Sequence, residues 1–267
     1  MRVRVIRHAQ SENNTLRTPG IDNPARARDP SITDVGFVQV AALREFFMEL
    51  YGTRSAQYLE RKPAIEIYTS PMRRAMQTAA GLCDEMKMRA RVLLDAHEHG
   101  GCFDGGRNGG SVVGRPGMTK REVEDEFKGV IDAPDSMAEG WWNPALGCET
   151  VAAAQARGKR VAEWLWEKAR AQSSGEAERA DIILVSHGMF IDILFKTLFN
   201  VPMTTGKQGA LFCSQNASMH QLHFDVSADG ECVGLEIFND VSHILPDFRT
   251  GGTVDGLSEA YTNEGSA

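Results

Sequence analysis

An arginine beside a histidine at the end of an apolar strand can do chemistry on an anion, and this chain opens with such a pair. Arg7 and His8 follow the β-branched run Val3-Arg4-Val5-Ile6 and precede the polar stretch Ala9-Gln10-Ser11-Glu12-Asn13-Asn14. A guanidinium is a fixed fork of donors that suits phosphate oxygens, and an imidazole that is neutral near pH 7 is a nucleophile. A bare Arg-His pair is common by chance, so its weight depends on what other strand ends supply. Two supply more. Ser70-Pro71-Met72-Arg73-Arg74 follows the apolar segment 64–69, and His187-Gly188 follows the segment 181–186. In an open α/β sheet such strand ends share the carboxyl edge where ligands bind. Each precedes a helix or turn whose free backbone N–H groups favour anions.

A sheet and its helices must position these groups, and the periodicity predicts both. Strands are expected at 3–6, 64–69, 91–94 and 181–186. Thr33 reads as the N-cap of a helix over 34–51, with Val38, Ala41, Ala42 and Phe46 at helical spacing. Ser70-Pro71 reads as an N-cap followed by proline at the first helical position. Met72, Ala75, Met76, Ala79 and Cys83 would be the core face of that helix. Further helices are expected at 119–127, at 150–172 and at 189–199, the last nearly all apolar and buried. The stripe of the second of these is Val151, Ala154, Val161, Trp164, Leu165 and Lys168. Residues 216–226 and 232–239 alternate and predict a hairpin around Ala228-Asp229-Gly230. Residues 15–32 and 52–62 are polar connections. Strands alternating with helices predict a three-layer α/β/α sandwich, its central sheet mostly parallel with an antiparallel edge. No linker divides the chain. One domain over 1–249 is expected, followed by a mobile tail over 250–267 rich in Gly, Ser, Thr and Glu.

Composition narrows the class. The chain has 267 residues, 42% hydrophobic and 24% charged, ordinary values for a globular protein with one large core or two modest ones. A formal net charge of −7 speaks against nucleic-acid and anionic-membrane partners, which call for a basic face. An anionic substrate must then be drawn by a local basic pocket. Five widely spaced cysteines, 83, 102, 148, 213 and 232, fit reduced thiols better than a disulfide framework. The first strand begins at residue 2, so no signal peptide is expected. The longest apolar run, 189–199, contains Asp192 and Lys196 and is too short to span a bilayer. A soluble, cytoplasmic protein is expected.

With the three strand ends in view, the sequence resembles the histidine phosphatase superfamily, the group that includes cofactor-dependent phosphoglycerate mutases. The family's Arg-His-Gly-x-Ser-x-x-Asn signature is matched by Arg7 through Asn14. Its Ser-x-x-x-Arg-Ala-x-x-Thr-Ala segment is matched by Ser70, Arg74, Ala75, Thr78 and Ala79. Its second histidine, in a Val-Ser-His-Gly setting, is matched by Val185-Ser186-His187-Gly188, and a family Glu-Ser followed by an arginine by Glu149, Thr150 and Arg157. These matches run in family order over most of residues 1–220. Ala9 stands in place of the usual glycine and Gln10 in place of a frequent glutamate; neither touches the reacting groups.

The resemblance implies a phosphoglycerate mutase-like fold and a metal-independent phosphatase. His8 would attack a phosphomonoester as neutral imidazole, and water would hydrolyse the phosphohistidine. Arg7, Arg74 and His187 would clamp the phosphoryl oxygens, where charge is spread in the transition state. Asn14, Ser11 and Gly188 would line the phosphate site. Arg73 and Arg74 lie about 100° apart on a helix, so one of them faces the phosphate. Arg74 matches the family pattern and shares a face with Thr78. The leaving alkoxide needs a proton from a carboxylic acid. The family places that acid after the third strand, and Glu98 in Glu98-His99-Gly100 fits better than Asp95 by type and spacing.

Other readings give way. His97-Glu98-His99 offers only two histidine ligands with no third placed by sequence, so neither a metal nor another cofactor is expected. The run Gly105-Gly106-Arg107-Asn108-Gly109-Gly110 lacks the Gly-Lys-Ser/Thr ending of a P-loop. His220, His223 and His243 read as surface residues, and Trp141, Trp142, Trp164 and Trp166 as packing. The glycine-rich stretch 95–118 reads as one long loop, of the kind that is often functional. It carries Arg107 and Arg115, expected to contact the non-reacting, anionic part of the substrate as a lid. That substrate would be a small phosphorylated molecule or a phosphopeptide. A mutase is disfavoured, because the family's mutases carry Trp-Asn and Tyr-Gly-x-Leu where this chain has Asn13-Asn14 and Gly100-Gly101-Cys102-Phe103. A non-catalytic scaffold of the same fold is disfavoured by the retained histidines and arginines.

Overall fold

Apolar segments pair in parallel and carry the strand-end residues between them. The computed structural model describes residues 1–16, 23–51, 64–105, 112–203 and 209–262. Among these, β1 (Arg2–Arg7), β2 (Ala64–Thr69) and β3 (Ala90–Val92) belong to a seven-stranded sheet. β4 (Phe103–Asp104) and β5 (Val113–Gly114) form a separate antiparallel ribbon. β6 (Ile131–Asp132), β7 (Ala180–Ser186), β8 (Met219–Ser227) and β9 (Gly230–Asp240) complete the large sheet, in the order β6-β3-β2-β7-β1-β8-β9. The five strands from β6 to β1 are parallel, and the β8–β9 hairpin adds an antiparallel edge beside β1.

β7 is buried along its whole length, which is why it reads as a continuous apolar run rather than an alternation. Successive side chains of a strand point to opposite faces. Ile6, Ile67, Ile183 and Val185 face one way and pack with Leu43 and Phe47 of α1 (Asp34–Tyr51) and Met76 and Leu82 of α2 (Arg73–Met86). Val123 and Phe127 of α3 (Lys120–Phe127) join the same core. Val3, Val5, Ile182 and Leu184 face the other way, against Val161 and Leu165 of α4 (Val151–Ser174) and Ile191 and Leu194 of α5 (Gly188–Leu198). This is the expected three-layer α/β/α sandwich. No helix among the described residues is long and apolar enough to cross a membrane.

Several details differ from expectation, each for a physical reason. α1 buries Val40, Leu43, Phe47 and Tyr51, one position round from the expected stripe, and Val38 is exposed. The helix carries two neighbouring apolar stripes, and only packing against the sheet chooses between them. α2 starts at Arg73 rather than just after Ser70, because Ser70 Oγ accepts the Met72 N–H at 3.2 Å and also meets His187. A 3-10 turn at Leu94–Ala96 leads into the loop 95–118, which also holds the β4–β5 ribbon. Residues 52–62, part of 15–32, and Arg107 with most of its glycine-rich run lie outside the described residues. His220, expected at the surface, is fully buried and accepts the Asn239 N–H at Nδ1. The expected mobile tail instead includes α6 (Val254–Thr262). Tyr261 of α6 is 2% exposed and donates its hydroxyl to Asp192 on α5, so one aromatic anchor outweighs a polar composition.

Candidate active site

The sheet register brings the strand ends together. Arg7 lies opposite Ser186 and Thr69 opposite Val185, so β1, β2 and β7 end in line. The next residues continue the alignment: the His8 N–H donates to the Ser186 carbonyl at 2.8 Å and the Ser70 N–H to the Val185 carbonyl at 2.9 Å. His8, Ser70 and His187 are thereby collected at one edge, with the two imidazole centroids 5.0 Å apart.

His8 is buried, and its Nδ1 lies 2.7 Å from the Ala9 carbonyl. A carbonyl only accepts, so Nδ1 carries the proton and Nε2 the lone pair. Arg74 Nε donates to that Nε2 at 3.2 Å. Burial holds the His8 pKa well below the ordinary imidazole value, and the charges of Arg74 and Arg7 act in the same direction. The ring is therefore neutral, with its reactive nitrogen turned toward a guanidinium. His187 is likewise kept neutral, by burial first and then by Arg74. Its Nε2 meets Ser70 Oγ at 2.7 Å, while its buried Nδ1 has no hydrogen-bond partner among the described residues.

Arg7 donates from Nη1 to the Ser214 carbonyl and keeps a buried Nε with no hydrogen-bond partner among the described residues. Two glycines let it lie there. A Cβ on Gly188 would come within 3.3 Å of the guanidinium carbon, and one on Gly251, at φ +74°, within 2.8 Å of Nη1. Burial lowers the Arg7 pKa to about 10, opposed by Glu98, and leaves it charged at neutral pH. Arg74 is buried, with Nη1 4.0 Å from Asp29 Oδ1. Arg73 turns away to Glu126 at 3.0 Å, so the two adjacent arginines separate as their helical angle requires.

The two candidate acids also separate. Glu98 sits over the N-terminus of α5, where Oε1 accepts the Phe190 N–H at 3.0 Å and Oε2 the Met189 N–H at 3.3 Å. A carboxylate at a helix N-terminus is a favourable pairing. Its charge acts on both Arg7 and Arg74. Asp95 instead forms a two-pronged pair with Arg160, both contacts 2.8 Å, on the exposed side of α4.

Ser11 and Asn14 hold each other: Asn14 Oδ1 accepts from the Ser11 N–H and hydroxyl, each at 3.0 Å. Asn216, fully buried and missed in the sequence, donates to Asn14 Oδ1 at 3.1 Å and to the His8 carbonyl at 3.2 Å. Arg115 is committed to Asp104 at 2.6 Å and does not stand as a free cation. Arg26, also missed, stacks 4.1 Å over the Phe103 ring and donates to the Phe103 carbonyl at 3.1 Å. His97 is enclosed by Trp141 and Trp142, at 5.2 and 5.3 Å, with Nδ1 on the Leu94 carbonyl. Among the described residues no group of three or more His, Cys, Asp or Glu is placed to hold a metal ion.

The model of the histidine phosphatase superfamily, branch 1, matches residues 3–229. The chain belongs to this superfamily. Comparison with curated protein sequences gives no match. Solved structures share the fold. A structure titled mycobacterial hydrolase 1 is 22% identical, with a TM-score of 0.52 over 90% of this chain and 98% of its own. One titled mycobacterial hydrolase 2 is 21% identical, with a TM-score of 0.52 over 97% and 96%. A mycobacterial glucosyl-3-phosphoglycerate phosphatase in complex with inorganic phosphate is 22% identical, with a TM-score of 0.50 over 91% and 99%. At such identities the likeness is one of fold. Within the superfamily's matched span fall Arg7, His8, Arg74, Glu98, Glu149, Arg157 and His187.

Proposed function

We propose that this superfamily member is a phosphatase that hydrolyses a phosphomonoester through a phosphohistidine on His8. The observation that carries the reading is the neutral His8 ring, its Nε2 lone pair facing Arg74 Nε at 3.2 Å beside Arg7 and His187. In the first step Nε2 bonds to phosphorus as the phosphorus–ester oxygen bond breaks. Arg7, Arg74 and the unpartnered Nδ1 of His187 supply charge and donors to the three equatorial oxygens. Asn14 is fixed beside them by Asn216, and Gly188 gives Arg7 its room.

Glu98 takes a proton from the bound phosphomonoester monoanion and passes it to the departing alkoxide. Its Oε2, held by the longer of the two contacts with α5, is the oxygen to carry the proton. In the second step the same group, now a carboxylate, takes a proton from water as that water attacks the phosphohistidine. Inorganic phosphate leaves and His8 returns to the neutral form. The substrate is a phosphorylated small molecule or a phosphopeptide, and guanidinium groups supply the positive charge. Arg26, rather than Arg115, takes the remote contact with the substrate's non-reacting part.

Incubating the protein with a labelled phosphomonoester and quenching in alkali tests this. Acid-labile, alkali-stable phosphate is expected on His8, and His8→Ala should abolish both the label and turnover. Label on a serine or cysteine would overturn the mechanism.

A further inference from the structure

We propose that Arg157 is a positioning residue, whose guanidinium sets the place of the Glu98 carboxyl at the reacting centre. The inference rests on the reading of Glu98 as proton donor and goes beyond it to the group that aims the donor.

Arg157 lies on α4 and is 1% exposed. Nε and Nη2 form a two-pronged pair with Glu149, at 3.0 and 2.6 Å. Nη1 donates to two main-chain carbonyls, Asp95 and His97, each at 2.7 Å. The face of the guanidinium stacks 4.4 Å from the Phe190 ring. These contacts meet on one target. His97 immediately precedes Glu98, and Phe190 is the residue whose N–H holds Glu98 Oε1 at 3.0 Å. One planar group therefore touches both the chain that carries the carboxyl and the platform on which the carboxyl rests. Glu149 completes the hold from the far side, its N–H donating to the Gly100 carbonyl at 3.0 Å.

The chemistry of the residues suits this task better than plain stability. Exchanging a buried ion pair for apolar side chains of similar volume is often neutral or stabilising. An apolar pair could not bridge two carbonyls of an irregular segment, which must find donors somewhere. Lysine, with three donors on one nitrogen and no planar fork, could not make all four of these contacts at once. Glu149 is well suited to remain a charged anchor. Burial raises its pKa, but the two hydrogen bonds and the charge of Arg157, with the His97 ring 3.7 Å away, outweigh that and hold it at about 2. The anchor thus stays charged while the carboxyl it positions takes up and releases a proton.

The test compares Arg157→Lys, Glu98→Gln and the double variant on an alkyl phosphate and on p-nitrophenyl phosphate. Rates are taken below the thermal transition of each variant and normalised to folded protein. An alkoxide leaves only with its proton, whereas p-nitrophenolate needs little help. Arg157→Lys should lower kcat on the alkyl ester by on the order of 10²-fold, the scale of a displacement of about 1 Å in a catalytic group. The loss on p-nitrophenyl phosphate should be several-fold smaller. In the Glu98→Gln background Arg157→Lys should add no further selective loss.

Equal losses on both esters from Arg157→Lys, with Glu98→Gln still selective, would reduce Arg157 to a structural role and overturn the proposal alone. Equal losses from Glu98→Gln would overturn the assignment of the acid and this proposal with it. If Arg157→Lys does not fold, Phe190→Leu decides in the same way. It removes the ring beneath the guanidinium and keeps the N–H that holds Glu98.

Discussion

A guanidinium packed into protein without a carboxylate beside it is an unfavourable arrangement unless something else supplies the opposite charge. Among the described residues, Arg26 is such a group. Burial first, and then the charge of Arg74, lower its pKa to about 10. The nearby Asp104 is already engaged by Arg115 at 2.6 Å and Arg28 at 3.8 Å. A substrate with an anionic group away from the reacting phosphate would complete Arg26. Arg26→Gln should then raise KM for a carboxylate-bearing phosphomonoester by about tenfold, the scale of one charge-assisted hydrogen bond. KM for p-nitrophenyl phosphate should change little. Measuring both constants decides, because parallel changes would assign Arg26 to the folding of its loop. The difference between Arg26 and Arg74 in legibility is instructive. Arg74 lies on a periodic helix at a fixed spacing from Ser70 and Thr78, so a motif exposes it. Arg26 and Asn216 reach their places through irregular segments, where no period relates position to neighbour.

At the scale of elements, α6 changes what the C-terminal segment is for. Thr250 accepts the Asn216 N–H at its carbonyl, 2.8 Å away, and donates its hydroxyl to Asn216 Oδ1 at 3.1 Å. Gly251 packs against Arg7, and Tyr261 covers the buried pair of Asp192 and Lys196, whose charges meet at 2.7 Å. Ending the chain at Arg249 should therefore weaken inhibition by inorganic phosphate and lower Tm together. A tail without a role would change neither quantity, and a fall in Tm alone would confine α6 to stability. The sheet and the long helices were legible because continuous apolar runs and 3.6-residue stripes report burial directly. The start of α2 and the fate of residues 250–262 were not. Each depends on a single side chain, the Ser70 hydroxyl or the Tyr261 ring, finding a partner more than 60 residues away. Local pattern carries no trace of such a partner.

The whole molecule buries His8, His97, His187 and His220, and burial holds each below the ordinary imidazole pKa, His220 at about 3. In the unfolded chain these rings take up protons near pH 6.5. Between that pH and the lower native values, the unfolded state binds more protons than the folded one. Stability contributed by the neutral rings is therefore complete above about pH 6.5 and is lost as the pH falls toward the native values. Each ring that titrates only on unfolding contributes a slope of about 1.4 kcal/mol per pH unit. Glu149, held at about 2, adds a loss in the same direction, but only below the ordinary carboxylate range near pH 4.5. The two windows can be separated with His220, which lies on β8 opposite Val5. Urea unfolding of His220→Gln and of the parent should be compared at half-unit steps from pH 7.5 to 4. The variant should lose stability less steeply between about pH 5.5 and 4, by one proton's slope, about 1.4 kcal/mol per pH unit. Near pH 7.5 the two curves should run nearly parallel, offset by the hydrogen bonds lost at Asn239 and Ser214. Identical slopes throughout would mean that His220 is protonated in the folded protein, contrary to a ring enclosed by Phe195 and Phe238 at 5.2 and 5.0 Å.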